Sequence, residues 1–509
     1  MTISEKKRKQ LILLAMISST SLIFLNATLF PVALPTIQKE LGVSLSGLQW
    51  IINAYLLATA VFVIAGGRLA DLFGARKIFC FGVAIYSLAS VMGAMAQTGW
   101  WLIFSRAIQG TGGAFMSPAG MSLLIHSFPE NQRGKAIGTI VAVGSLFLSL
   151  GPFIGGAFTQ YLSWRWAFGI NPPIAIFGIF MMMKAVPKSE KQNESFDFLG
   201  FFTMSLAITS LTIALMEGRK WGWESWQTIF FILLAITFFL AVRGLERFAK
   251  YPFFKFSLFR SRTFLGGCLL VVCSQFILMI TVFWPLYFQK IIYDSPMVAG
   301  LITAIGTIPL MLFAPISGSL ADRKGARLPL TIGFSLLCLC FLWFASFLHF
   351  HNVALLFPAL FAFGAGISFV MTPASSATLS AVPKSKTGVA TGMYNTLRFT
   401  GATIGVAVLG ATMVNVQDLL FTKQLLKGPG TKELNPTLYE GLLNNLPRAV
   451  EAAKSLEPKT LAYINHALIE TSTTAFLVTN LVTAAVAFIA LMITLLIFKE
   501  KTKQKKEAE

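Results

Sequence analysis

Charge is what this sequence has least of. Only 12% of its 509 residues are Asp, Glu, Lys or Arg, about half the share with which a soluble chain covers its surface, so a soluble multidomain protein is excluded. Acids are scarcer than bases, 21 against 41, and none lies in the middle of an apolar run. Histidine occurs four times, as His126, His349, His351 and His466, scattered over loops and run ends. An intramembrane enzyme needs converging His, Asp or Glu, so none is expected, and neither is a metal or other cofactor. The five cysteines (Cys80, Cys268, Cys273, Cys338, Cys340) form an odd set with no CxxC and no histidine nearby. They read as helix-packing residues. A Gly-x4-Gly-Lys-Ser/Thr run is missing, as is any polar segment long enough for a nucleotide-binding domain, which excludes an ATP-driven pump. Gly110-Thr111-Gly112-Gly113 is rich in glycine but sits in an apolar helix and reads as packing.

What the chain has is apolar sequence: 55% hydrophobic residues and a mean hydropathy of +0.71, enough for about fourteen spans of about 20 residues. Runs near 11–34, 48–69, 78–97, 100–125, 136–161, 165–184, 197–216, 227–245, 263–287, 297–319, 329–348, 353–378, 387–415 and 472–497 are the expected spans. The fold class is therefore an all-α polytopic membrane protein. The opening MTISEKKRKQ runs into Leu11–Leu25 with no small-residue cleavage site, which predicts a first span with a basic cytoplasmic flank.

With that flank inside, 28 of the 41 Lys and Arg fall on inner segments, 11 on outer ones, and Arg106 and Arg398 within spans. This is the asymmetry of the positive-inside rule. The net charge of +20 then sets orientation and attracts anionic inner-leaflet lipids, and no nucleic-acid partner is needed. The outer segment 416–471 balances six acids against six bases. Helical periodicity over Leu438–Leu446 and Ala449–Ile469, broken at Pro458, predicts a small cap there.

Self-similarity is the strongest internal signal. Gly67-Arg-Leu-Ala-Asp71-Leu-Phe-Gly74-Ala-Arg76 returns as Gly318-Ser-Leu-Ala-Asp322-Arg-Lys-Gly325-Ala-Arg327, 251 positions on. At the same offset Gln38 maps to Gln289, while at 254 Gly151 and Gly156 map to Gly405 and Gly410. Two homologous six-helix halves are expected, residues 1–186 and 263–498 (the latter including loop 416–471). An inserted helix pair with its linkers fills 187–262, and 499–509 is a basic cytoplasmic tail. In each repeated turn, small residues let two helices approach, and a carboxylate beside bases can lock one arrangement and release it. The set Gly67, Asp71, Gly74, Arg76, Asp322, Gly325 and Arg327 is therefore expected to gate. In Gly151-Pro152-Phe-Ile-Gly155-Gly156, proline frees a carbonyl and the glycines permit bending and close packing, which makes Gly151, Pro152, Gly155 and Gly156 candidates for conformational change.

These turns resemble the inner-loop motif of the major facilitator superfamily, and the whole chain looks like its fourteen-spanner drug:proton antiporter branch. The likeness runs through Leu25-Asn26-Ala27-Thr28 and Val32-Ala33-Leu34-Pro35, Trp50 and Tyr55, Arg106-Ala-Ile-Gln109-Gly110-Thr-Gly112, the Gly151–Gly156 run and Trp164-Arg165-Trp166-Ala-Phe168-Gly-Ile-Asn171-Pro172. The resemblance implies a secondary transporter in the cytoplasmic (inner) membrane of a bacterium with both termini cytoplasmic. It also implies export of amphipathic small molecules or drugs by alternating access, protons as coupling ion, and for some similar exporters a periplasmic adaptor protein. An importer, an anion exporter or lipid flippase of the same fold, or a non-transporting receptor, are the alternatives.

An ionisable residue inside a span is functional by default. Arg106 has Gln109 one turn away, and Arg398 shares a face with Tyr394 and Asn395. With the wall candidates Asn26, Tyr55, Trp284 and Tyr287 these make the expected substrate and coupling set: Asn26, Tyr55, Arg106, Gln109, Trp284, Tyr287, Asn395 and Arg398. Similar antiporters commonly carry an aspartate where Asn26 stands. An amide does not titrate, so either proton coupling here passes to Asp71, Glu217 or another edge group or the protein is driven by something else, and the cavity would stay net positive.

Overall fold

The computed structural model describes residues 4–186, 196–248, 254–292, 295–383, 386–428, 436–443 and 447–498. The tail 499–509 and part of the 187–262 segment lie outside the described residues. Within them every regular element is helical. In order these are α1 (Glu5–Leu41), α2 (Leu45–Phe73), α3 (Ala75–Ala94), α4 (Gly99–Ser127), α5 (Glu130–Ala157) and α6 (Trp166–Ala185, with a turn at Ile170). There follow α7 (Phe198–Trp221), α8 (Trp226–Leu245), α9 (Arg262–Ile292), α10 (Pro296–Lys324), α11 (Arg327–Phe347), α12 (Val353–Ser380), α13 (Thr387–Leu425) and α14 (Pro458–Ile497).

Local chemistry sets the helix ends. Ser44, Thr98, Ser225, Ser261 and Ser295 cap α2, α4, α8, α9 and α10 by accepting a backbone N–H two or three residues into the helix, each such cap stabilising its helix by about 1 kcal/mol. Gly74 and Gly325 end α2 and α10 at φ 94° and 81°, a conformation that costs a side-chain-bearing residue. That explains why glycine recurs at this place in both repeated turns.

Among the described residues, thirteen helices are long and apolar enough to cross a membrane. The fourteenth expected span, α4, has the length at 29 residues, but Arg106, Gln109 and its glycines dilute its apolarity. It lies inside the bundle, packed between α2 and α3.

The repeat is visible in the packing. α4 meets α2 where Gly110 faces the Tyr55 carbonyl, and α12 meets α10 where Gly364 faces the Gly306 carbonyl. The pairs Gly82–Gly112 (α3–α4) and Gly333–Gly366 (α11–α12) repeat in the same way. Both sets of contacts follow the sequence offsets of 251 and 254. Two equivalent helix sets then meet along two seams, α2 with α13 and α5 with α10. α7 lies against α2 and α13, held by Trp50 Nε1 to Glu217 (2.6 Å) and Asn53 Nδ2 to Met216 Sδ (2.8 Å). α8 packs on α7 and leaves apolar residues such as Leu240 exposed, as a lipid-facing helix does.

The Gly151–Gly156 run divides its two faces between two partners. Gly151 takes the Thr28 side chain and Leu29 N of α1 and Gly155 the Leu29 backbone, while Gly156 takes Pro296 and Met297 of α10, and the Pro152 carbonyl abuts Gly300. Pro152 has no N–H for the Leu148 carbonyl one turn earlier. Thr28 Oγ1 donates to that carbonyl at 2.8 Å. At the end of the bundle away from the repeated turns, Gln160 Oε1 accepts from Ser295 Oγ and Met297 N at 2.7 and 3.1 Å, and Gln289 Nε2 donates to the Val32 carbonyl at 2.9 Å. Deeper in, Ser149 and Thr307 exchange hydroxyl-to-carbonyl bonds at 2.9 and 3.3 Å.

The expected cap at 416–471 is helical, with one difference. α13 runs on to Leu425 and α14 begins at Pro458, so much of the segment extends two long helices. Polar residues such as Gln417 and Asp418 end the apolar run without ending the helix. The short helices Pro436–Leu443 and Pro447–Ala453 lie between them, and Phe421, Leu442, Ala449 and Ile464 form a separate small apolar cluster.

Thr28→Val is expected to lower stability by about 1 kcal/mol by orphaning the Leu148 carbonyl. In a Pro152→Ala background, where the substituted residue regains a backbone N–H that serves that carbonyl, the same change should cost less than half as much. Thermal unfolding of the four variants in detergent checks the coupling.

Candidate substrate and gating site

Arg106, about two turns into α4, is 3% exposed. Its Nε donates to the Ile51 carbonyl at 3.3 Å and its Nη1 to Gln109 Oε1 at 2.5 Å. The guanidinium lies 4.3 Å from the Tyr55 ring centroid and 4.7 Å from that of Phe30. Two aromatic faces, a carbonyl and an amide thus stand in for water around a buried cation.

From Gln109 the polar chain continues across three more helices. Gln109 Nε2 donates to Ser90 Oγ of α3 at 2.9 Å, and Asn171 Nδ2 of α6 donates to the same oxygen at 3.1 Å. Ser90 in turn donates to the Tyr86 carbonyl at 2.7 Å, so its hydroxyl uses its one donor and both acceptor sites. Asn171 Oδ1 accepts from Asn26 Nδ2 of α1 at 3.0 Å. Asn26 and Arg106 are therefore linked through Asn171, Ser90 and Gln109, with every member buried.

Tyr55 of α2 interacts electrostatically with both Arg106 and Arg398. Arg398, on α13, is half-buried and lies 5.7 Å from the Phe399 ring centroid. Its Nε has no hydrogen-bond partner. Tyr394 beside it is buried and Asn395 half-buried. Trp284 and Tyr287 stand elsewhere, inside the packing of the second half. Trp284 sits edge-on to Phe363 (4.7 Å) against Gly306, and Tyr287 stacks on Phe476 at 4.4 Å. These two are not brought together with the Arg106 network.

In the repeated turns, Gly67 approaches Pro118 of α4 and Gly318 approaches Thr372 of α12, each with 3.7 Å of clearance for a methyl group. Asp71, Arg76 and Arg327 are half-buried, whereas Asp322 is exposed. At the other end, Glu40 of α1 accepts from Trp164 Nε1 at 2.5 Å and pairs with Arg165, which also donates to the Ala96 carbonyl at 3.1 Å. The Trp164-Arg165 motif thus ties α1, the turn after α3 and the start of α6 together.

Sequence reasoning passed over Ser90 and Asn171 as site residues. The available signal was weak: a serine one turn from Tyr86 in an apolar run, and an asparagine inside the quoted Trp164–Pro172 motif.

Two repeated helix sets, an inserted pair and a buried cationic network define a helical membrane transporter of the two-half type. The chain belongs to the Major Facilitator Superfamily, whose profile matches residues 16–406. It is 31% identical over 399 residues to "Multidrug resistance protein Stp" of Mycobacterium tuberculosis, covering 77% of this chain and 73% of that one. It is also 31% identical over 410 residues to "Tetracenomycin C resistance and export protein" of Streptomyces glaucescens, covering 79% of this chain and 76% of that one. Among solved structures, a bacterial homologue of the human lysosomal transporter Spinster has the same fold, with a TM-score of 0.64 at 15% identity over 97% of this chain and 99% of that one.

Ser90→Ala should orphan the buried amide donors of Gln109 and Asn171 together. A loss of about 2 kcal/mol or more is expected, read as a fall of several degrees in the unfolding midpoint, whereas Ser90→Thr, which keeps the hydroxyl, should recover most of it.

Proposed function

We propose that this protein exports amphipathic small molecules, drugs among them, by alternating access in proton-coupled antiport. The observation that carries the reading is the pair of seams α2–α13 and α5–α10. Two equivalent helix sets meet there through small residues and side-chain-to-carbonyl bonds, contacts that can be exchanged without tearing either half. The printed names of the relatives, multidrug resistance and tetracenomycin C export, support the substrate class and the direction.

In this reading the halves are residues 1–186 and 263–498, and 187–262 is the inserted pair. The termini and the repeated turns face the cytoplasm of a bacterium whose inner membrane holds the chain. The Gln160–Ser295 and Gln289–Val32 contacts then close the outer side. Substrate and coupling fall to Asn26, Tyr55, Arg106, Gln109, Asn395 and Arg398, with Trp284 and Tyr287 shaping the second half from behind. Gating falls to the two turns and to Gly151, Pro152, Gly155 and Gly156. Since the Asn26–Arg106 chain contains amides and a hydroxyl but no carboxylate, protons are handled by an edge acid such as Asp71 or Glu217. Basic inner segments bind anionic lipid headgroups, and, as for some similar exporters, a periplasmic adaptor protein is the candidate partner on the outer side.

Dye uptake into energised inverted vesicles tests the proposal, with the pH gradient and the membrane potential collapsed separately. Collapse of the pH gradient should abolish uptake. Unchanged rates would remove proton coupling, and no uptake of any dye would remove export. Asp71→Ala should slow turnover by about ten-fold, about 1.4 kcal/mol on the barrier, with substrate binding nearly unchanged. Normal turnover would end the gating role of the turn. Asn26→Asp, by placing a titratable group in the network, should raise export of cationic dyes and steepen the pH dependence of transport, both read in the same vesicles.

A further inference from the structure

We infer that the site takes amphipathic organic monoanions, aromatic carboxylates or sulfonates, and that the ligand's own acidic group supplies the negative charge that Arg398 lacks. The inference deepens the export reading and rests on it for the site's place in the transport cycle.

Two guanidinium groups, one from each half, interact with the one tyrosine, Tyr55. The titratable neighbours of Arg106 are Tyr55 and Tyr86, and those of Arg398 are Tyr394 and Tyr55. Among the described residues no carboxylate forms an ion pair with either arginine. Glu217 accepts from Trp50, and Asp71 and Asp322 lie in the repeated turns at one end of the bundle. The two cations differ in what they have left to give. Arg106 is committed to the Ile51 carbonyl, Gln109 and two ring faces. Arg398 has the Phe399 ring at 5.7 Å and an Nε with no acceptor.

An arginine without a counter-charge inside an apolar bundle is costly. A carboxylate or sulfonate fits it well, because the guanidinium fork offers two parallel donors to a pair of oxygens. The surroundings suit the remainder of such a ligand. The half-buried Phe399 ring provides aromatic surface beside the guanidinium, and Asn395, half-buried one turn earlier on the same helix, a neutral polar group. A lipophilic cation brought to the same place would meet two like charges and no acid.

The test uses the full-length protein in phosphatidylcholine vesicles and two dyes sharing one ring system. One is 8-anilinonaphthalene-1-sulfonate, the other the neutral N-phenyl-1-naphthylamine, with ethidium as the cationic control and tryptophan-to-dye energy transfer as the readout. Wild type should prefer the sulfonate over both by roughly ten-fold or more. Arg398→Gln should lose roughly that factor for the sulfonate and less than two-fold for the neutral dye, and Arg398→Lys should keep most of the preference. Equal binding of all three dyes by wild type, preference for ethidium, or equal losses for both naphthyl dyes in Arg398→Gln would overturn the inference without needing any transport. An anionic lipid headgroup carries the same chemistry, so the titration is repeated with phosphatidylglycerol added. Disappearance of the sulfonate preference there would assign the position to lipid and overturn a small-molecule site. Charge-selective binding with no dye transported would leave the anion site standing and remove export instead.

Discussion

A guanidinium buried in an apolar helix must find its acceptors and its charge compensation inside the protein, since lipid and hydrocarbon side chains supply neither. Arg106 meets that constraint in a way that organises four helices. Its donors reach a carbonyl of α2 and an amide of its own turn, and its faces rest on rings from α1 and α2. None of this is possible unless α4 lies very close to its neighbours. Gly110 and Gly112 provide that closeness, one against α2 at Tyr55 and the other against α3 at Gly82 and Tyr86. The charged residue and the glycines of the Arg106–Gly112 run are thus one device: the glycines bring the backbones in, and the arginine and glutamine fill the polar gap this creates.

The same economy appears where the halves meet. In α5, proline creates an unpaired carbonyl at Leu148 that Thr28 of α1 satisfies, while the glycines on either side let α1 and α10 press against opposite faces of the helix. One six-residue run therefore belongs both to the interior of the first half and to the seam with the second. In the second half, the position equivalent to Gly151 is Gly405, followed by Val406 and not by proline, so the second half lacks the device and the α2–α13 seam is built differently, with Gly410 against Gln49 and Thr396 against the Ala60 carbonyl.

How much of this was legible in the sequence depends on the kind of signal. The repeat was legible because each copy of the turn needs glycine at a positive φ and small residues at helix crossings, and such requirements leave fixed spacings. Arg106 and Gln109 were legible because polar residues inside an apolar run have no bland explanation. Trp284 and Tyr287 were ambiguous for the opposite reason. An aromatic residue with a polar tip suits a cavity wall and a packed interior equally well, and only the neighbours Phe363 and Phe476 decide which surroundings it has. Ser90 and Asn171 were silent because their importance lies in whom they meet across three helices, which no local pattern encodes. The ends of α13 and α14 were misplaced for a related reason: hydropathy marks where an apolar environment stops, whereas the helix continues for as long as its backbone bonds and the small cluster around Phe421 hold it.

The chain from Arg106 to Asn26 also has a sense of direction. Arginine can only donate, so it turns the Gln109 amide with its oxygen inward and its nitrogen toward Ser90. Ser90 has already given its proton to the Tyr86 carbonyl, so it can only receive, and this turns Asn171 as well. The Asn171 oxygen then faces Asn26, whose own Oδ1 ends the chain with no donor. Reversing any one amide would set like against like at the next link, so the members must turn together or not at all. Four helices, α1, α3, α4 and α6, are thereby keyed like the teeth of a single lock, and the polarity of the chain, a lone pair in place of a proton, is written at the α1 end.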